Sequence, residues 1–315
     1  MTCVLFSRRW WPLFSAAVFA CSLAACGGSG GSGSGIPREE PPDNNGPDTG
    51  APPVRDVRPL PTSHAALPAA SCEAGTDLDG GRSYRVEMPS RVDGAAIVFQ
   101  VFEPRIFDCG ARHPLILEGH GFAGSRQTTA GSSFSGPVAQ LVEAGYAVIS
   151  IDQRGHGESG GTVRVMTPDF EGQDLIQIVD WAEAHLDYLA YAPDDQGLDN
   201  LKLGSVGASY GGGFQYTLYS MDPDRRLDAM VPHITWHDLS YSLSPGETVK
   251  SYWGLFLSGA GDLGSGLAMD PLLRATLVEA AVSNVMPDSA QDFLSYSGLA
   301  YSCGCLLYTS PSPRD

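Results

Sequence analysis

A serine set among glycines is the first group in this chain that could do covalent chemistry. Gly207-Ala208-Ser209-Tyr210-Gly211 follows an apolar run beginning at Leu201 and precedes a helix-like segment, 214–221. A hydroxyl attacks well only when a base takes its proton and donors wait for the negative charge that develops. A sharp strand-to-helix turn prepares for this: it pushes the Ser209 hydroxyl out of the sheet and leaves the Tyr210 N–H at a helix N-terminus. Such a turn requires neighbours without bulky side chains, which the flanking glycines and Ala208 supply. Ser209 is therefore the candidate nucleophile and the Tyr210 N–H a candidate oxyanion donor. A glycine-rich turn with an incidental serine is the alternative.

Two other stretches carry suggestive spacings. Gly119-His120-Gly121-Phe122-Ala123-Gly124 spells G-x-G-x-x-G after an apolar strand, the pattern of a dinucleotide-binding turn. That reading requires a helix to open directly from the glycines and a fold that starts with this strand. Here a polar loop, 125–133, intervenes and two strands precede, so an oxyanion loop fits better. A backbone N–H near Phe122 would join that of Tyr210, with Gly121 in the loop and His120 orienting it rather than acting as a base. The second stretch, Asp152-Gln153-Arg154-Gly155-His156-Gly157-Glu158, invites a phosphate or metal reading. Asp152 and Arg154 are better suited to hold the loop at the sheet's carboxyl edge, where open α/β sheets bind ligands. His156 and Glu158 either line a pocket or serve loop structure. Trp236, His237 and Tyr241 either line a substrate pocket or pack a cap onto the core. No Cys/His spacing suggests zinc, and neither metal nor cofactor is expected.

These groups need elements to position them. Residues 82–88 and 95–102 read as two strands joined through Asp93-Gly94, a hairpin-type turn. Residues 114–118 form a short strand. Val138, Leu141 and Val142 give helical spacing after Pro137, with Gly145 at the C′ position. Residues 146–151 read as the next buried strand. Thr167 stands where it would N-cap a helix with Pro168 in the first turn. Leu175, Ile178, Val179, Ala182, Leu186 and Leu189 then keep one apolar stripe. The run from Leu201 and residues 227–234 are further strands. Alternation behind an antiparallel start predicts an α/β fold, a mostly parallel sheet with helices on both faces. Residues 249–257, 271–282 and 288–296 look helical with no strand among them. They read as an incomplete cap, 237–304, inserted after the sixth strand of a core spanning 63–236.

With His-Gly-Phe at 120–122, Asp-Gln-Arg-Gly-His-Gly-Glu-Ser-Gly at 152–160 and Gly-Ala-Ser-Tyr-Gly-Gly at 207–212, the chain resembles the α/β-hydrolase superfamily. More narrowly it is similar to the Xaa-Pro dipeptidyl-peptidase-like branch, peptidase family S15 and the cocaine-esterase-like enzymes. The Ile-Thr-Trp-His-Asp-Leu junction at 234–239 suits that branch. The resemblance implies a serine hydrolase with Ser209 as nucleophile, acting on an ester or peptide substrate. It also implies oxyanion donors at Tyr210 and Phe122; where cocaine-esterase types use a tyrosine hydroxyl, Phe122 leaves only a backbone donor. The family order places acid and histidine after the cap. Only His233 and His237 follow Ser209, both in or just beyond the neighbouring strand, so the triad's acid and base are expected beyond Gly304. This stretch alone is then expected to be inactive and poorly soluble.

The chain ends carry a different kind of signal. Arg8-Arg9 before an apolar run reads as a secretory signal, 1–25, and Leu23-Ala24-Ala25-Cys26 resembles a bacterial lipobox with Cys26 lipidated. Gly27 in place of aspartate favours the outer membrane. Residues 26–62, Gly/Ser-rich and then Pro-rich, read as a tether. Residues 305–315 resemble a translated sequencing adapter rather than native protein. Cys72 and Cys109 could pair in an exported protein. A formal charge of −17 argues against nucleic acid and anionic lipid as partners. The expected partners are a small ester or peptide, and a membrane reached only through the anchor at Cys26.

Overall fold

A computed structural model describes residues 83–105, 111–130, 137–193, 199–288 and 294. The expected leader, Cys26, the expected tether, Cys72, Cys109 and residues 305–315 lie outside the described residues.

Strands β1 (Ser83–Pro89) and β2 (Ala96–Phe102) pair antiparallel, Ser83 opposite Phe102 and Pro89 opposite Ala96. The turn between them closes through Ser90 N–H to Ala95 O, 2.7 Å, with Gly94 at φ 76°. β3 (Leu115–Gly119) leads through α1 (Val138–Glu143) to β4 (Ala147–Ile151), and Gly145 takes the left-handed conformation after the helix. A π-helical turn, Pro168–Gly172, opens α2 (Gln173–His185). A small hairpin of β5 (Tyr191–Pro193) and β6 (Asp199–Leu201) precedes β7 (Leu203–Ala208). Then follow α3 (Tyr210–Met221) and β8 (Leu227–His233).

The six-stranded sheet runs β1-β2-β4-β3-β7-β8, antiparallel from β1 to β4 and parallel from β4 to β8. Alternation along each strand sorts side chains to two faces. Leu115, Leu117 and Ile149 join the larger core beneath α2 and α3, whereas Val148 and the partly buried Ile116 pack with Val138 and Val142 of α1. Helices therefore cover both faces, as an α/β-hydrolase fold requires. From β3 the chain turns to β4 on one side, and β7 then lies on the other. This makes the carboxyl ends of β3 and β7 a topological switch point, where such sheets bind ligands.

Beyond β8 come α4 (Leu239–Leu243), α5 (Ser251–Gly264) and α6 (Pro271–Ser283). Asp238 caps α4 by accepting the Tyr241 N–H, and Asp270 caps α6 by accepting that of Leu272. A bridge between Val163 and Met269 ties this helical segment to the loop after β4. No described helix is long and apolar enough to cross a membrane.

Three expectations need correction. The strand expected from Leu201 is two strands broken at Lys202, because Leu201 belongs to the β5–β6 hairpin while Leu203 begins the main sheet. Thr167 does not cap with its side chain. The Glu171 carboxylate reaches back to accept both the Thr167 N–H, 3.1 Å, and its hydroxyl, 2.9 Å. Of the expected 288–296 helix, only residues 288 and 294 are described, both helical.

Candidate active site

Ser209 stands between β7 and α3 at φ 56°, ψ −116°, a combination costly for any residue with a Cβ. Its N–H donates to the His233 carbonyl, 2.9 Å, and its carbonyl accepts from Gly212 and Gly213, so the turn is held from both sides. The loop after β3 lies directly on the first turn of α3. A Cβ on Gly211 would come 2.0 Å from the Gly119 oxygen and 3.0 Å from that of His120. Glycine at 211 is thus a packing requirement, and it brings Phe122 beside Tyr210, their rings 5.3 Å apart in a T-shaped contact.

Ser209, Phe122 and Tyr210 line one cavity of about 240 Å³. Its roof comes from the helical segment, including Leu239, Leu243, Trp253 and Leu277, and Trp236 stands in its wall. Trp236 also packs against the ring of Tyr210, 6.2 Å between centroids, so the two sequence alternatives for it hold together. Tyr241 is 66% exposed and His237 is exposed; neither lines the cavity. Tyr210 itself is buried, its hydroxyl makes no hydrogen bond among the described residues, and burial pushes its pKa well above the usual phenol range.

The remaining candidates sit behind the cavity rather than in its lining. His120 Nδ1 is 2.7 Å from the Gly121 carbonyl and its Nε2 accepts the Gln153 N–H at 3.1 Å. Those partners select the Nδ1–H tautomer, and burial lowers the pKa, so His120 is a neutral strut between the two loops. Asp152 is buried and accepts the N–H groups of Arg126, 2.6 Å, and Glu158, 2.9 Å, together with the Arg126 guanidinium. Arg154 turns away from the cavity, bonding Asp174 at 2.7 Å, Asp93 at 2.7 Å and the Ser90 hydroxyl at 2.8 Å. His156 is fully buried among His120, Phe122 and Tyr210, and burial, with His120 nearby, brings it down to about 4. Glu158 meets Arg85 and Arg126, whose hydrogen bonds hold its carboxyl below the usual range.

Sequence reasoning passed over Glu171. It is buried, accepts the Arg164 N–H at 2.7 Å, and anchors a strap in which Val165 and Met166 both have positive φ, 54° and 68°. Val165 lines the cavity, and burial pushes Glu171 up to about 7. Its only sequence signal is a glutamate just after Thr-Pro at a helix start. Among the described residues no imidazole is hydrogen-bonded to Ser209 Oγ, and no group of histidines, cysteines and carboxylates could hold a metal ion.

Comparison with known proteins gives the following. An uncharacterized 31.7 kDa protein in the traX-finO intergenic region of Escherichia coli is 32% identical over 166 residues, 53% of this chain and 50% of that protein. The uncharacterized protein YcjY of Escherichia coli K12 is 29% identical over 131 residues, 41% and 38% of the two chains. The chain spans about half the length of the first of these curated relatives and less of the second. Among solved structures, acetyl xylan esterase from Paenibacillus sp. R4 is 16% identical, with 72% of this chain and 66% of that one covered at a TM-score of 0.43. A sequence model of the X-Pro dipeptidyl-peptidase (S15) family matches residues 93–281, a span holding both glycine-rich loops, the serine turn and the helices roofing it. With more than half of its length matched there, the chain belongs to that family.

Proposed function

We propose that the protein is a serine hydrolase in which Ser209 attacks the carbonyl of an ester or peptide and forms an acyl-enzyme that water then releases. One observation carries this reading: Ser209 sits in a strained turn on the floor of an apolar cavity, at the sheet's switch point. In the reaction the Ser209 oxygen bonds to the carbonyl carbon, its proton passes to a base, and the carbonyl oxygen becomes an oxyanion. The backbone N–H groups of Tyr210 and Phe122 are the donors for that charge. The leaving group departs protonated, and water repeats the attack on the acyl-enzyme. The base and its acid come from outside the described residues. Asp152, Arg154, His120 and His156 hold the loops that carry the donors. The cavity needs no cofactor for this chemistry. We further propose an exported protein tethered through lipidated Cys26 to the bacterial outer membrane.

A fluorophosphonate probe tests the central claim. In a chain that carries the base it labels one site, and Ser209→Ala abolishes that label. Absence of any label would leave a non-catalytic binding module of the same fold. The 315-residue chain by itself turns over p-nitrophenyl acetate no faster than its Ser209→Ala variant; turnover sensitive to that substitution would show the base to be within it.

A further inference from the structure

We infer that the cavity over Ser209 accepts the apolar group of a neutral or anionic ester and rejects a substrate bearing a free amine. This rests on the hydrolase reading above and names its substrate class. The walls are Leu239 and Leu243 on α4, Leu257 on α5, and Leu273 and Leu277 on α6. Among the described residues no carboxylate lines the cavity. The one charged group among the described lining residues is Lys250, exposed just before α5, and no described carboxylate pairs with its ammonium.

A dipeptide unit cut from a peptide N-terminus presents an ammonium group. Placing that group in an apolar pocket strips its water, and the loss is offset only by an acceptor carboxylate. Its described lining offers none and adds a like charge at Lys250. A fatty or aromatic acyl group meets the opposite conditions. It gains by leaving water, and any carboxylate it carries is attracted to Lys250. Size sets the length: an apolar cavity of about 150 Å³ holds one benzene. The volume here, about 240 Å³, therefore suits a chain of roughly six to ten carbons.

Binding to the Ser209→Ala chain tests this without turnover, read by the fluorescence of Trp236 and Trp253, both of which line the cavity. Sodium octanoate should bind about tenfold more tightly than octylammonium chloride, as expected for one screened charge interaction reversed in sign. From butanoate to octanoate the affinity should rise about fourfold per methylene. Lys250→Glu, an exposed and structurally safe change, should reverse the octanoate–octylammonium order, and Leu277→Trp should weaken both by filling the cavity. Octylammonium binding as tightly as octanoate, an order unchanged in Lys250→Glu, or affinity independent of chain length would each overturn the inference. If the fluorophosphonate probe fails while these affinities hold, the hydrolase reading fails and the ligand class stands. The reverse pattern removes the ligand class alone.

Discussion

Ser209 is the one residue of the β7–α3 turn that combines a side chain with a positive φ, and the strain is local to it. A residue in such a region costs about 1–3 kcal/mol, part of which glycine would relieve. Ser209→Gly should therefore raise the unfolding free energy by about 1 kcal/mol in urea titration while eliminating probe labelling. Titration behaviour is also local. Glu171, at about 7 when folded against an ordinary 4.5, keeps its proton where the unfolded chain has lost it. Its contribution to stability is thus full below about 4.5 and lost as pH rises through about 7. His156, at about 4 when folded against 6.5, runs the other way: its contribution is lost as pH falls from 6.5 through 4. The two oppose each other between 4.5 and 6.5. Glu171→Gln removes the falling part, so its stability should climb with pH across that window more steeply than the parent's, by up to about 3 kcal/mol in urea titrations at stepped pH. A slope equal to the parent's would show that Glu171 does not titrate there.

At the scale of elements, the site depends on how closely β3, β7 and α3 approach. Gly211→Ala would drive a methyl into the Gly119 carbonyl, a backbone atom that cannot rotate aside. It should cost about 3 kcal/mol in urea denaturation and slow probe labelling, because the loop bearing Phe122 shifts with Gly119. This proximity was legible in the residue string: small residues clustered on both sides of Ser209 and around His120, and the alternation of strands and helices placed both loops at one sheet edge. The partners of Arg154 were not legible, since Asp93 and Asp174 come from the hairpin turn and α2 and meet only after folding. The reversed cap at Thr167 escaped for a related reason. A Thr-Pro helix start reads as a serine/threonine cap, whereas here a buried carboxylate one turn later takes both donors, and that exchange is decided by packing.

For the molecule as a whole, the parallel sheet, its antiparallel start and the helical segment after β8 could be anticipated because hydrophobic period distinguishes strand from helix over long stretches. The β5–β6 hairpin and α4 could not, being only 3, 3 and 5 residues long, too short to show a period. The helical segment does more than cover the core; it furnishes most of the cavity roof, so under the proposed function ligand choice falls to the helices after β8 and bond-breaking to the turn at the sheet's edge. The bond from the Ser209 amide to His233 ties the serine turn to β8, the strand that leads into those helices, since it continues the β7–β8 ladder one rung past the last residue of β7. Although Ser209 occupies a turn beside open space, its amide proton should exchange with solvent as slowly as those of β7, whereas the Tyr210 amide should exchange fast. Deuterium uptake at these two neighbouring positions would then report separately on an intact ladder and on the proposed oxyanion donor, and peeling β8 away would free the serine before any other described part of the parallel sheet opened.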